Sequence, residues 1–181
     1  MVAKRSVSHK TARRPKPEVR WVHQFLIVLS NTDPVVWRRI QVPEAYSFWD
    51  LHVAIQDAMG WKDYHLHEFT VVRPEGERVE RIGIPDEDFP VERPTMPGWK
   101  VKVCEYFTWG SSPARYLYDF GDDWEHIVSY EGTWLAEESR RYPCCISGAG
   151  AWPPEDCGGV TGYAEFPSTL PGITNLVLPS K

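Results

Sequence analysis

The stretch Tyr116-Leu-Tyr-Asp-Phe-Gly-Asp-Asp-Trp-Glu-His-Ile-Val-Ser-Tyr130 leaves this chain few options. Asp119, Gly121, Asp122 and Asp123 suit a tight turn, because Asp side chains bond nearby backbone amides and Gly tolerates positive φ. From Trp124 the residues alternate. Trp124, His126, Val128 and Tyr130 fall on one face and Glu125, Ile127 and Ser129 on the other, the period of two that a strand requires. His126 therefore lies among the larger apolar side chains, where an imidazole needs a polar partner.

A chain of 181 residues with 42% hydrophobic and 13% aromatic content, nine Trp among them, reads as one folded domain with tails. No apolar run approaches the ~20 residues that span a bilayer. Phe25-Leu-Ile-Val-Leu29 is too short for a signal core and leads into Asn31-Thr-Asp-Pro34 rather than a small-residue cleavage site. The expectation is a soluble, cytoplasmic protein without membrane contact. Four Cys make no dense disulfide framework, so they read as thiols or metal ligands.

The net charge of −5 is unevenly spread. Residues 1–20 hold seven Lys or Arg against Glu18, and the remainder carries 13 basic and 24 acidic residues, a balance of −11. Such an acidic body suits a protein partner better than nucleic acid, whose phosphates demand a basic face. The Pro-broken tail Arg13-Arg-Pro-Lys-Pro17 reads as a disordered basic arm that touches phosphates weakly at most.

Along the body, Val22–Leu29 and Val35–Val42 read as antiparallel strands joined by the Asn31–Pro34 turn. One helix follows. Ser47 and Asp50 form its capping box, Phe48, Leu51, Ile55, Ala58 and Met59 its apolar stripe, and Gly60 its left-handed end, with His52 at the stripe's edge as a capping or surface group. Tyr64–Val72 reads as a strand with His65, His67, Phe69 and Val71 on one face, followed by strands at Arg78–Ile84, Lys100–Trp109 and Tyr116–Phe120. The order β-β-α-β-β-β-β-β describes an α+β fold, a mostly antiparallel sheet with one principal helix packed on a face. The domain spans residues 21–166, and residues 167–181 read as an irregular C-terminal tail. From Arg141 to Tyr163 the chain is Gly- and Pro-rich, so it reads as a long loop held by a metal or by aromatic packing, and it contains three of the four Cys.

Several blocks, in order, resemble the plasmid pRiA4b ORF-3-like family. They are Trp37-Arg38-Arg39, Leu51-His52 with Ala58-Met-Gly-Trp61, His65-Leu-His67-Glu-Phe69, Tyr118-Asp-Phe-Gly-Asp-Asp-Trp-Glu-His126 and Pro153-Pro-Glu-Asp-Cys-Gly-Gly159. The resemblance implies an α+β domain found in bacteria and archaea, often linked to plasmids and insertion elements, with no established activity. Two features depart from the family pattern. Trp152 stands where the family usually has a Cys, which takes away one possible metal ligand. The residues from Pro167 lack the usual acidic helical C-terminus, which implies a truncated or rearranged end.

Three chemistries fit the residue types. His67, His126, Cys145 and Cys157 are zinc-ligand types, with Cys144 an alternative to its neighbour. Equally, Cys145 and Cys157 can be small buried hydrophobes, with His126 bonded to Asp122 or a carbonyl. Asp119, Asp122, Asp123, Glu155 and Asp156 could hold Mg2+ or Mn2+ for phosphoryl chemistry, or simply cap turns. Trp109, Trp124, Trp134 and Trp152 could line a partner surface. The combined expectation is a non-enzymatic binding or accessory module of a plasmid or mobile element, with a structural zinc site. The alternative is a metal-dependent hydrolase or nuclease acting through Asp119, Asp122, Asp123 and His126.

Overall fold

The computed structural model describes residues 19–74, 76, 78–85 and 94–165. Nearly all of the expected basic tail, and all of residues 167–181, lie outside them. The elements are β1 (Trp21–Leu29), β2 (Trp37–Pro43), α1 (Phe48–Met59), β3 (His67–Val72), β4 (Val79–Gly83), β5 (Met96–Pro97), β6 (Ala114–Tyr118), β7 (Trp124–Leu135), β8 (Cys144–Ala149) and a short α2 (Gly159–Ala164). The eight strands form one sheet in the order β5-β4-β3-β6-β7-β1-β2-β8. All neighbours are antiparallel except β4 and β5. The α+β class and the single sheet agree with the sequence, as does the alternation of β7, in which Trp124, His126 and Val128 are all buried.

Local chemistry fixes α1. Ser47 Oγ accepts from Asp50 N at 3.2 Å while Asp50 Oδ2 accepts from Ser47 N at 2.8 Å, so two backbone donors at the helix start are satisfied reciprocally. Gly60 ends the helix at φ +80°, and a Cβ there would also come within 2.8 Å of the Trp152 ring. Phe48, Leu51, Ile55 and Met59 are buried, with the Phe48 ring edge-on to Phe69 of β3 at 5.2 Å. The edge of the stripe differs from expectation. His52 and Gln56 are buried too, because Tyr116 of β6 offers both a hydroxyl partner.

Two segments depart from the sequence reading. Lys100–Trp109 is no strand; the 3-10 turn Gly98–Lys100 leads into it and a second, Val103–Glu105, lies within it. Its buried residues are Val103, Tyr106 and Phe107, a helical spacing, and backbone bonds from Phe48 N to Val101 O and from Val103 N to Tyr46 O tie it to the start of α1. The Cys-bearing segment is not all loop. Cys144–Ala149 pairs with β2 at the sheet edge, and Gly148 leaves room for Arg38, whose Cδ would lie 2.7 Å from a Cβ there. The buried Arg38 guanidinium is satisfied by the carbonyls of Trp37, Ala58, Ala149 and Gly150.

Leu51→Ala is expected to remove about 2–5 kcal/mol of stability, because Leu51 is fully buried in the core. A urea unfolding curve measures this, and a loss below 1 kcal/mol would mean that the site collapses freely.

Candidate metal centre

At one corner of the sheet, the end of α1, the segment entering β3, the β6–β7 turn and the loop before α2 converge on three histidines and a set of carboxylates. The Gly60 cap turns the chain from α1 into Trp61-Lys-Asp-Tyr-His-Leu-His67. Asp63 N donates to Gln56 Oε1 at 3.2 Å, which fixes the amide so that Gln56 Nε2 donates to Tyr116 Oη at 3.0 Å. The Tyr116 proton is then free for His52 Nδ1 at 2.8 Å, and His52 Nε2–H donates to Asp63 Oδ1 at 2.8 Å. Every member of this chain is satisfied with His52 neutral.

His67 is different. Its ring lies flat on that of His52, with centroids 3.4 Å apart and planes 8° from parallel. It is buried, yet neither Nδ1 nor Nε2 has a hydrogen-bond partner. Native interiors rarely leave such an imidazole bare. One ligand atom each from His52, Asp63 and His67 lies within 4.8 Å of the others. The side chain of Asp63 is 37% exposed, so the group has a solvent edge. Trp49 walls the other side, 5.5 Å from His52, 5.6 Å from His67 and 6.5 Å from the exposed Trp99 between ring centroids.

Tyr118 separates this group from a second one. Its hydroxyl donates to Glu155 Oε1 at 2.7 Å and accepts from Tyr64 N at 3.0 Å. Beyond it, His65, Asp119 and Asp156 also bring ligand atoms within 4.8 Å of one another.

The residues singled out by sequence are placed as follows. His67 and His126 are both buried, on β3 and β7, with β6 between them. His126 Nδ1 lies 3.1 Å from Trp124 O, the carbonyl partner foreseen for a structural imidazole, and the ring packs against Trp61 and Tyr116. Cys145 lies on β8, with β1 and β2 between it and β7, and its thiol meets Ser147 O; the Cys157 thiol meets Gly159 O. Burial raises the pKa of both thiols. Among the described residues, then, His67, His126, Cys145 and Cys157 do not come together as one ligand set; all four cysteines are free and none belongs to a His/Asp group.

Asp119 caps its turn, its Oδ1 accepting from Gly121 N and Asp122 N, while Asp122 accepts from Gly158 N. Asp123 closes the same turn at φ +54°. Glu155 accepts from Tyr118 and Lys62 N, and Asp156 Oδ1 lies 3.1 Å from His65 Nε2. Of the tryptophans, Trp124 is core, Trp152 stacks over Gly60, Trp134 is partly exposed and Trp109 stands 89% exposed. The sequence reading missed His52, Asp63 and His65. The available signal was the period-two run Asp63-x-His65-x-His67, whose first member lies one turn past a helix carrying His52.

Burial lowers the pKa of His52 and His67 to about 3 and that of His126 to about 4. Histidine in an unfolded chain titrates near 6.5, so below that pH the unfolded state takes up protons that the folded state refuses. Their effect is constant above about pH 6.5, and stability falls as the pH drops from there, by roughly 1.4 kcal/mol per unit for each histidine. Urea midpoints measured between about pH 7 and 5 are expected to fall steeply below 6.5; a level profile would contradict three neutral buried rings.

Known proteins give relatives but no activity. The chain is 35% identical over 152 residues to the uncharacterized protein y4hQ of Sinorhizobium fredii, covering 82% of this chain and 73% of that one. A crystal structure of a protein of unknown function, MM3350 from Methanosarcina mazei Go1, matches with a TM-score of 0.76 and 42% identity, over 83% of this chain and 81% of that one. A family model described as plasmid pRiA4b ORF-3-like protein matches residues 21–172, and the chain belongs to that family.

Proposed function

We propose that the protein is a zinc-dependent hydrolytic domain whose ion is held by His52, His67 and Asp63. The observation that carries this reading is His67, a buried imidazole with both nitrogens unpartnered beside a second histidine and a carboxylate. Two neutral imidazoles and one carboxylate form a donor set suited to zinc. At neutral pH both rings keep their lone pairs, since burial has driven their protonation far into the acid range. Ion binding requires His52 to move its proton to Nδ1 and donate to the Tyr116 oxygen, at a cost of about one hydrogen bond. It also requires the stacked rings to splay, because the lone pairs of parallel rings run side by side.

Three protein ligands leave a coordination position open, and Asp63, whose side chain is 37% exposed, gives the group a solvent edge from which water can approach. A purely structural zinc in an accessory module is the weaker reading, since structural sites are closed on all sides. The surrounding carboxylates Glu155, Asp119 and Asp156 favour a neutral or cationic substrate over a phosphate ester.

The test is zinc binding by chelator-stripped protein, followed by zinc-dependent hydrolysis of 4-nitrophenyl acetate. One zinc per chain is expected at the His52 group, with affinity reduced at least tenfold in Asp63→Asn and His67→Gln and unchanged in Cys145→Ser and Cys157→Ser. If the cysteine variants lose the ion while Asp63→Asn keeps it, the proposed centre is wrong. Zinc binding without ester hydrolysis removes the catalytic half of the proposal.

A further inference from the structure

We infer that His65, Asp119 and Asp156 form a second divalent-cation site, separate from the His52 group, which fastens the Pro153–Gly158 loop to the β6–β7 turn. His65 Nε2 lies 3.1 Å from Asp156 Oδ1 and 3.5 Å from Asp119 Oδ2, yet this buried nitrogen makes no hydrogen bond. The oxygens sit off the axis of the ring nitrogen. That is how co-ligands stand around a shared ion, and a hydrogen-bonded pair would line up instead.

Each donor is held in place from behind. Asp119 is buried, and its other oxygen is committed to the amides of Gly121 and Asp122, which leaves Oδ2 facing His65. Asp156 lies between two anchored neighbours. Glu155 is held by Tyr118 Oη and Lys62 N, and Gly158 N is held by Asp122 Oδ2. Gly159 approaches so closely that a Cβ would lie 2.5 Å from Asp122 O. Among the described residues no Lys or Arg pairs with Asp119 or Asp156; the basic side chain within reach of both is His65 itself. Outer partners that orient ligating carboxylates are the usual support of an ion site.

The three donors come from the entry to β3, the β6–β7 turn and the loop before α2, so an ion joining them closes that loop onto the sheet corner. One imidazole with two carboxylates suits Mn2+, with water completing the shell. Trp61, whose Nε1 donates to Pro153 O at 2.8 Å, and Trp152, stacked over Gly60, report the state of the loop by fluorescence. The inference does not depend on the proposed zinc site.

The experiment uses the full chain carrying Asp63→Asn, which disables the His52 group, stripped with chelator and titrated with Mn2+. One Mn2+ per chain is expected, with a change in Trp fluorescence, slower proteolysis between residues 151 and 158, and a Tm raised by about 5–10 °C at a hundredfold excess over Kd. Adding Asp156→Asn, whose side chain is 70% exposed and so dispensable for folding, is expected to weaken binding at least tenfold, as is His65→Gln. The inference is overturned if the Asp63→Asn protein binds no Mn2+, or binds it equally well after those changes. It is also overturned if Mn2+ binds but neither the Trp fluorescence nor proteolysis between residues 151 and 158 changes, since the ion then does not fasten the loop. Loss of zinc binding at the His52 group alone leaves these outcomes untouched.

Discussion

The Tyr116 hydroxyl joins the helix, the sheet and the corner segment. It meets His52 and Gln56, one turn apart on α1, and through them reaches Asp63. Because Tyr116 is fully buried, each of these polar groups depends on the others for its hydrogen bonds. The apolar stripe of α1 alone would leave the helix free to roll slightly against β3 and β6. The hydrogen-bonded chain removes that freedom and sets the plane of the His52 ring, on which His67 then stacks. The orientation of the bare imidazole therefore follows from a tyrosine on the neighbouring strand.

What was legible in the sequence was local. Ser47, Asp50 and Gly60 set the limits of α1 because capping works within one turn, and the alternation after Trp124 placed His126 inward because strand parity needs no partner. At the stripe's edge, the sequence reads His52 as a capping or surface group, whereas it is buried. Whether the edge of a stripe is buried depends on what lies across from it, and here that is Tyr116, 64 residues away. The cysteines failed in the same way. Their residue type suggested a metal, but strand order carries Cys145 to β8, on the far side of β1 and β2 from His126. The histidines that do converge were already visible in Asp63-x-His65-x-His67, and only the β3–β6 pairing shows that Asp119 and Tyr118 lie beside them.

The corner also concentrates backbone in the left-handed region. Asp63, Asp119, Asp123 and Asp156 hold φ between +54° and +59°. Asp tolerates this region because its short side chain bonds local amides, and a β-branched residue there would be strained. All four lie in the connections between elements, where the left-handed residue reverses the chain. For Asp119 this means one oxygen toward the amides of its turn and the other toward His65. A turn that would serve equally well as a simple cap thus also points a carboxylate oxygen into the corner.

Charge decides which chemistry this arrangement favours. The body carries a balance of −11, and four of its carboxylates, Asp63, Asp119, Glu155 and Asp156, gather at this corner beside His52, His65 and His67. A negative field in a partly enclosed corner draws cations and repels phosphates. An ion seated there would offset part of that field. The aspartates of the β6–β7 turn lie in this same field, with Asp119 Oδ1 and Asp122 committed to backbone amides and Asp119 Oδ2 left facing His65. They supply ligands for a cation while making the approach of a polyanion unfavourable, and a neutral ester or amide pays no such penalty.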